Sequence, residues 1–210
     1  EETLARTRTI IEKILSYNDD RFKVMVAPHA PYSCSKDLLK GSLELARELQ
    51  LKLHIHVAET QAENGIILER YGKRPLAFLK ELGYLEHEGI FAHGVELNER
   101  EIAELTASKI HIAHNPISNL KLASGIAPVT DLIQAGVTVG LATDSVASNN
   151  NLDMFEESRT AALLQKMRTG DATQFTIEQA LKTMTIEGAK ALGMDDQIGS
   201  LEVGKQADFL

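Results

Sequence analysis

The 210-residue sequence has one cysteine, Cys34, so no internal disulfide can form and a reducing, cytoplasmic setting is expected. Aromatic residues make up only 5%, and the 22 lysines and arginines are scattered among 30 acidic residues, for a net charge of −8. With neither a basic stripe nor aromatic platforms, a nucleic-acid partner is not expected. No apolar run approaches the roughly 20 residues that cross a bilayer, so no membrane span is expected. The opening Glu1-Glu2-Thr3 lacks the basic-then-apolar order of a secretory signal. An initiator methionine is also missing, and the chain stops at Ala207-Asp208-Phe209-Leu210, which leads to the expectation of a piece of a longer protein. There is no glycine-rich phosphate loop after the first apolar run, so a dinucleotide-binding fold has little support.

What remains is ordinary globular composition, 43% hydrophobic and 25% charged, long enough to bury a core in one domain. Short β-rich runs at Phe22–Ala27, Leu51–Val57, Gly89–Ala92, Lys109–Ala113 and Val137–Ala142 read as strands. Helical patterns lie between them at Lys36–Gln50, Gln61–Leu82 (two helices split near Pro75), Asn98–Ala107 and Pro128–Ala135. Asn98-x-x-Glu101 and Thr176-x-x-Gln179 fit helix-start boxes, and Gly136 fits a helix stop. Alternating strands and helices imply parallel strands with right-handed crossovers. The apolar runs do not alternate strictly, as expected of strands covered on both faces. Five such units suit either an open sheet or most of a barrel.

The reactive side chains favour the barrel. Pro28-His29 follows the first run; His56 and Glu59 end the second; His93 follows the third. His114-Asn115-Pro116 ends the fourth, and Thr143-Asp144-Ser145 the fifth. In a parallel α/β fold these C-terminal ends meet on one rim, where active sites form. Each residue alone has a plainer use: Asp144 as a helix cap, Glu59 as a solvated first-turn carboxylate, a lone histidine as a hydrogen-bonding group. Together, at consecutive strand ends, they read as one site. Histidines with Asp and Glu suit zinc, or ferrous iron second, and hydrolytic chemistry in which a metal brings the pKa of water to about 7. Cys34 reads as a small buried thiol rather than a nucleophile.

The stretches APHAPYSCS (27–35), HIHVAET (54–60), FAHGVEL (91–97), HNPISNLKLASGIAPV (114–129) and LATDSVASNNNLDMFEE (141–157) resemble the amidohydrolase superfamily. Within it they are most similar to the 5-methylthioadenosine/S-adenosylhomocysteine deaminases. The resemblance implies a (β/α)8 TIM-type barrel of which this chain holds strands four to eight, as residues 1–198. It further implies that GSLEVGKQADF, within 199–210, begins the return to a small β-sandwich.

The implied cofactor is one divalent metal, zinc before iron, and the implied partner is a small nucleoside. His56 and Asp144 would hold the metal, and Asp144 would also take the proton of the attacking water. Glu59 would carry a proton to the purine ring and towards departing ammonia; Glu59 and Asp144 would thus also touch substrate. His93 would position the water or stabilise the intermediate, and His29 would contact the ribose side. Asn115 and Ser118 would shape the rim.

The family's His-x-His pair on the first barrel strand has no counterpart before Phe22, and neither do its substrate arginines. His54 is not expected to replace that pair. Related guanine or triazine deaminases and chlorohydrolases are the nearest alternative. A different one is a non-catalytic fragment, because these strands alone cannot close a barrel. Assembly as a homo-oligomer stays open, since no stripe singles out an interface.

Overall fold

A computed structural model describes residues 2–19 and 21–207. Along the chain, α1 (Glu2–Leu15) and α2 (Lys36–Leu49) precede β1 (Leu53–Val57), then α3 (Gln61–Tyr71) and α4 (Pro75–Leu82) lead to β2 (Gly89–His93). Next come α5 (Glu99–Thr106), β3 (Ile110–His114), α6 (Pro116–Lys121), α7 (Val129–Gln134) and β4 (Val139–Leu141). The chain continues through α8 (Val146–Asn149), α9 (Met154–Thr169), α10 (Ile177–Met184) and α11 (Ile186–Leu192). The strands form one four-stranded sheet in the order β1-β2-β3-β4, every pair parallel. Each pair is joined through helices, as parallel neighbours require.

Local chemistry sets the helix ends. The Asn98/Glu101 and Thr176/Gln179 boxes form as the spacing predicts. The expected split falls at Pro75, the first residue of α4, where its missing N–H costs nothing. Gly83 closes α4 at φ +89°, a conformation that costs glycine little.

Outward-facing Leu53, Ile55 and Val57 of β1 and Ile110 and Ile112 of β3 are buried in one core with Leu39 and Leu43 of α2, Leu76 and Leu79 of α4, and Leu105 of α5. At the last strand, helix and sheet approach glycine to glycine: a Cβ on Gly140 would stand 3.0 Å from Gly188 Cα of α11.

Three expectations need correction. Phe22–Ala27 is not a strand; it meets β1 at a single parallel bridge, Val26 to Leu53, with bonds from Val26 N–H to Lys52 O (2.9 Å) and His54 N–H to Val26 O (3.0 Å). Among the described residues those two bonds are its only ladder bonds to the sheet, too few for a regular strand. The fifth run shortens to Val139–Leu141. Double coverage holds for β2, buried at every position, whereas β1 and β3 alternate buried and half-buried, leaving His54, His56, His111 and Ala113 partly open.

Helix α9 escaped periodicity because its pattern is inverted: Glu157 and Gln165 are buried while Phe155, Leu163 and Met167 are exposed. Residues 199–207 run through turns, with Gln206 N–H bonded to Gln197 O (2.8 Å); positions 208–210 of the expected closing segment lie outside the described residues.

Candidate active site

The parallel register brings the strand ends to one rim. His56 pairs with Ala92 and Val57 with His93, so the histidines of β1 and β2 sit one rung apart. Their rings stack at 5.3 Å between centroids. Glu59, two residues past β1, places Oε2 3.9 Å from His93 Nε2. His29 comes alongside through its backbone: its carbonyl accepts both His56 N–H (3.1 Å) and His56 Nδ1 (2.6 Å), and its ring lies 4.9 Å from that of His56. The His29 side chain is exposed on the rim, Nδ1 2.6 Å from Ser33 Oγ.

Asp144 follows β4 and is held from below, its Oδ2 accepting O–H bonds from Ser118 (2.6 Å) and Ser148 (2.7 Å). Burial works against its charge, but these two bonds, the Ser145 amide and nearby His93 outweigh burial and keep the carboxyl below its ordinary range. It therefore stays ionised. Asp144 does not cap the following helix; Ser145 does. The Ser118 contact explains a residue that the sequence placed on the rim without a role. Behind it, the buried Glu157 of α9 accepts Ile117 N–H (3.2 Å) and so anchors the start of α6, which presents Ser118.

Further support was not legible in the sequence. His93 Nδ1 bonds Asn119 Oδ1 at 2.8 Å with both groups buried, and Asn115 Nδ2 lies 3.3 Å from the same nitrogen. His114 does not join the rim; it is fully buried beneath it, and among the described residues neither ring nitrogen has a hydrogen-bond partner. His54 lies two positions before His56 on the same strand, rings 6.4 Å apart. Burial first, then His56 and His93, keep it below its ordinary pKa against the pull of Asp144. Three strand-end residues, Ala58 (φ +53°), His93 (φ +75°) and Asp144 (φ +60°), take left-handed backbone conformations that side chains with a Cβ rarely adopt. Such positions cost on the order of 1–3 kcal/mol each and cluster at functional sites.

The donor chemistry suits a metal. A histidine whose Nδ1 donates to a carbonyl presents Nε2 as a bare lone pair, the arrangement that orients metal-bound imidazoles, and His56 has it through His29 O. Asp144, ionised and fixed by two hydroxyls, is the matching oxygen donor. Among the described residues, however, no group of three or more His, Cys, Asp or Glu is placed to hold an ion. His56 and Asp144 fit as part of a shell, not all of one.

A parallel α/β sheet that gathers histidines and acids at its C-terminal rim has the layout in which such folds place their active sites. The chain belongs to the amidohydrolase family, which it matches over residues 1–210. It is 45% identical over 210 residues to the 5'-deoxyadenosine deaminase of Methanobrevibacter smithii, covering 100% of this chain and 48% of that protein. It is 51% identical over 195 residues to the 5-methylthioadenosine/S-adenosylhomocysteine deaminase of Bacillus thuringiensis, covering 92% of this chain and 45% of that one. Among solved structures, a zinc-bound adenosine deaminase from Xanthomonas campestris matches with a TM-score of 0.84 at 44% identity, over 87% of this chain and 42% of that chain. The chain spans about half the length of the curated relatives it matches.

Proposed function

We propose that the protein containing this chain hydrolytically deaminates a 5'-substituted adenosine, with 5-methylthioadenosine and S-adenosylhomocysteine the first substrates to test. The observation that carries this is the meeting of Glu59 with His93, beside a His56 turned by the His29 carbonyl. The relatives add the substrate class: all three named above are deaminases of adenosine or its 5'-modified forms.

His56 and Asp144 are the residues that would hold a divalent metal, zinc by preference. When bound, such an ion supplies the Lewis acidity that makes water nucleophilic near neutral pH. The rest is acid–base work by this chain. Asp144, kept ionised by Ser118 and Ser148, takes a proton from the water whose oxygen adds to C6 of the adenine ring. Glu59 delivers a proton to the neighbouring ring nitrogen. His93, its Nδ1–H donating to Asn119 Oδ1, turns an Nε2 lone pair towards Glu59 and positions the water by accepting one of its O–H groups. Glu59 then takes the proton of the C6 hydroxyl and passes it to the amino group. The C6–N bond breaks, ammonia leaves, and C6 keeps its oxygen as the carbonyl of an inosine-type product. The proton held on Asp144 returns to Glu59. His29, exposed at the rim, contacts the ribose side.

In architecture, we infer that the sheet is strands five to eight of a (β/α)8 barrel with the Val26 segment as the fourth. The half-open inner faces of β1 and β3 and the coverage of the relatives support this. No described helix is long and apolar enough to cross a membrane. The single buried thiol at Cys34 suits a cytoplasmic enzyme.

The test is turnover of methylthioadenosine, S-adenosylhomocysteine, 5'-deoxyadenosine, adenosine and guanine by the protein that contains this chain, followed by ammonia release. Turnover confined to guanine would move the assignment to the guanine deaminases, and none on any adenosine would refute the proposal.

A further inference from the structure

The turn that carries Glu59 is held by contacts from outside it. Ala58 sits at φ +53°, and Thr60 returns to extended backbone (φ −134°) as the cap of α3. Two bonds pin the residues between: Glu96 N–H donates to Ala58 O at 2.8 Å, and Glu59 N–H donates to Glu63 Oε2 at 2.8 Å. Glu63 is 2% exposed, and among the described residues its Oε1 has no hydrogen-bond partner and no lysine or arginine pairs with it. A carboxylate buried on amides alone is an expensive way to tie a turn.

The register of this bond is also unusual. In an ordinary capping box the residue three past the cap bonds back to the cap's own amide, as Glu101 does to Asn98 and Gln179 to Thr176. In α3 the Thr60 hydroxyl accepts Glu63 N–H as usual (3.2 Å), but the returning carboxylate skips Thr60 and takes the amide of Glu59. The bond is spent one residue early, on the residue that faces the site.

We propose that Glu63 is a positioning residue: by gripping the Glu59 amide it fixes the direction in which Glu59 leaves the strand and keeps its carboxylate within reach of His93 Nε2. This rests on the deaminase assignment above. A shift of about 1 Å in an acid–base group is enough to cost on the order of a hundredfold in rate.

The experiment compares Glu63→Ala, Glu63→Gln and, as a packing control in the same helix, Ile67→Val, all in the protein that contains this chain with the remainder of its barrel. Glu63→Ala is expected to lower kcat by about ten- to a hundredfold, with KM and metal content little changed. Glu63→Gln keeps an acceptor for the amide and should recover most of the rate, and Ile67→Val should keep it. Amide hydrogen exchange at Glu59 should speed up in Glu63→Ala and stay as in wild type in Ile67→Val. An unchanged kcat in Glu63→Ala, or a loss no larger than its loss of folded protein, would overturn the positioning role, as would unchanged exchange at Glu59. If the wild type itself turns over no nucleoside, the deaminase assignment fails, and the exchange measurement still decides whether Glu63 holds the turn.

Discussion

Replacing His114 by leucine separates two buried groups whose titrations oppose each other. His114 is fully buried with both nitrogens unpartnered among the described residues; burial first, and His93 second, push its pKa from 6.5 down to about 3. Between those values the unfolded chain binds a proton that the folded one refuses, so stability falls as pH falls. The slope is about 1.4 kcal/mol per pH unit, with a ceiling near 5 kcal/mol over the window.

Glu63 does the reverse. Burial, reinforced by Glu59 and opposed by the Glu59 and Ala58 amides and His56, pushes its carboxyl from 4.5 up to about 7. From 4.5 to 7 the folded chain holds a proton that the unfolded one has lost, so stability falls as pH rises, by about 3 kcal/mol in all. Between pH 4.5 and 6.5 the slopes of these two groups nearly cancel; below 4.5, of the two, only the His114 slope remains. Denaturant unfolding of wild type and His114→Leu from pH 4 to 7.5 reads the difference directly. The variant should gain on the wild type by about 1.4 kcal/mol for each unit below pH 6.5. A difference between the two proteins that does not change with pH would refute the burial reasoning.

Glu59→Gln should lower kcat by about a hundred- to ten-thousandfold, the range of general acid–base contributions, with metal content intact; near-normal turnover would remove Glu59 from proton transfer. Asp144→Asn should reduce both activity and bound metal, checked by elemental analysis beside the rate assay. His56→Ala should lower metal content while His54→Ala leaves it unchanged, and the opposite result would make the 54/56 pair a clamp.

Much of the site could be read from residue order alone. His56, Glu59, His93 and Asp144 stand at strand ends in the sequence, and parallel pairing carries those ends to one rim whatever the details of packing. The helix boundaries near Pro75, Asn98 and Thr176 were equally legible, because caps and prolines act over a few residues. Helix α9 was not: burying Glu157 and Gln165 makes sense only once their partners, the Ile117 amide and the Ala127 carbonyl, have arrived from 40 and 38 residues away.

The sequence by itself determined the alternation of strands and helices, the chemistry available at the rim and the family resemblance, because these depend on local periodicity and residue type. The tertiary structure alone decided that His56 is oriented by the backbone of His29, that Asp144 is kept charged by Ser118 and Ser148, and that His114 drops out of the site into the core. It also decided that Glu63 reaches the amide of Glu59 instead of closing an ordinary capping box. A hydrogen bond needs its two atoms within about 3 Å at the right angle. Only the packed chain sets that distance between residues that the sequence holds far apart.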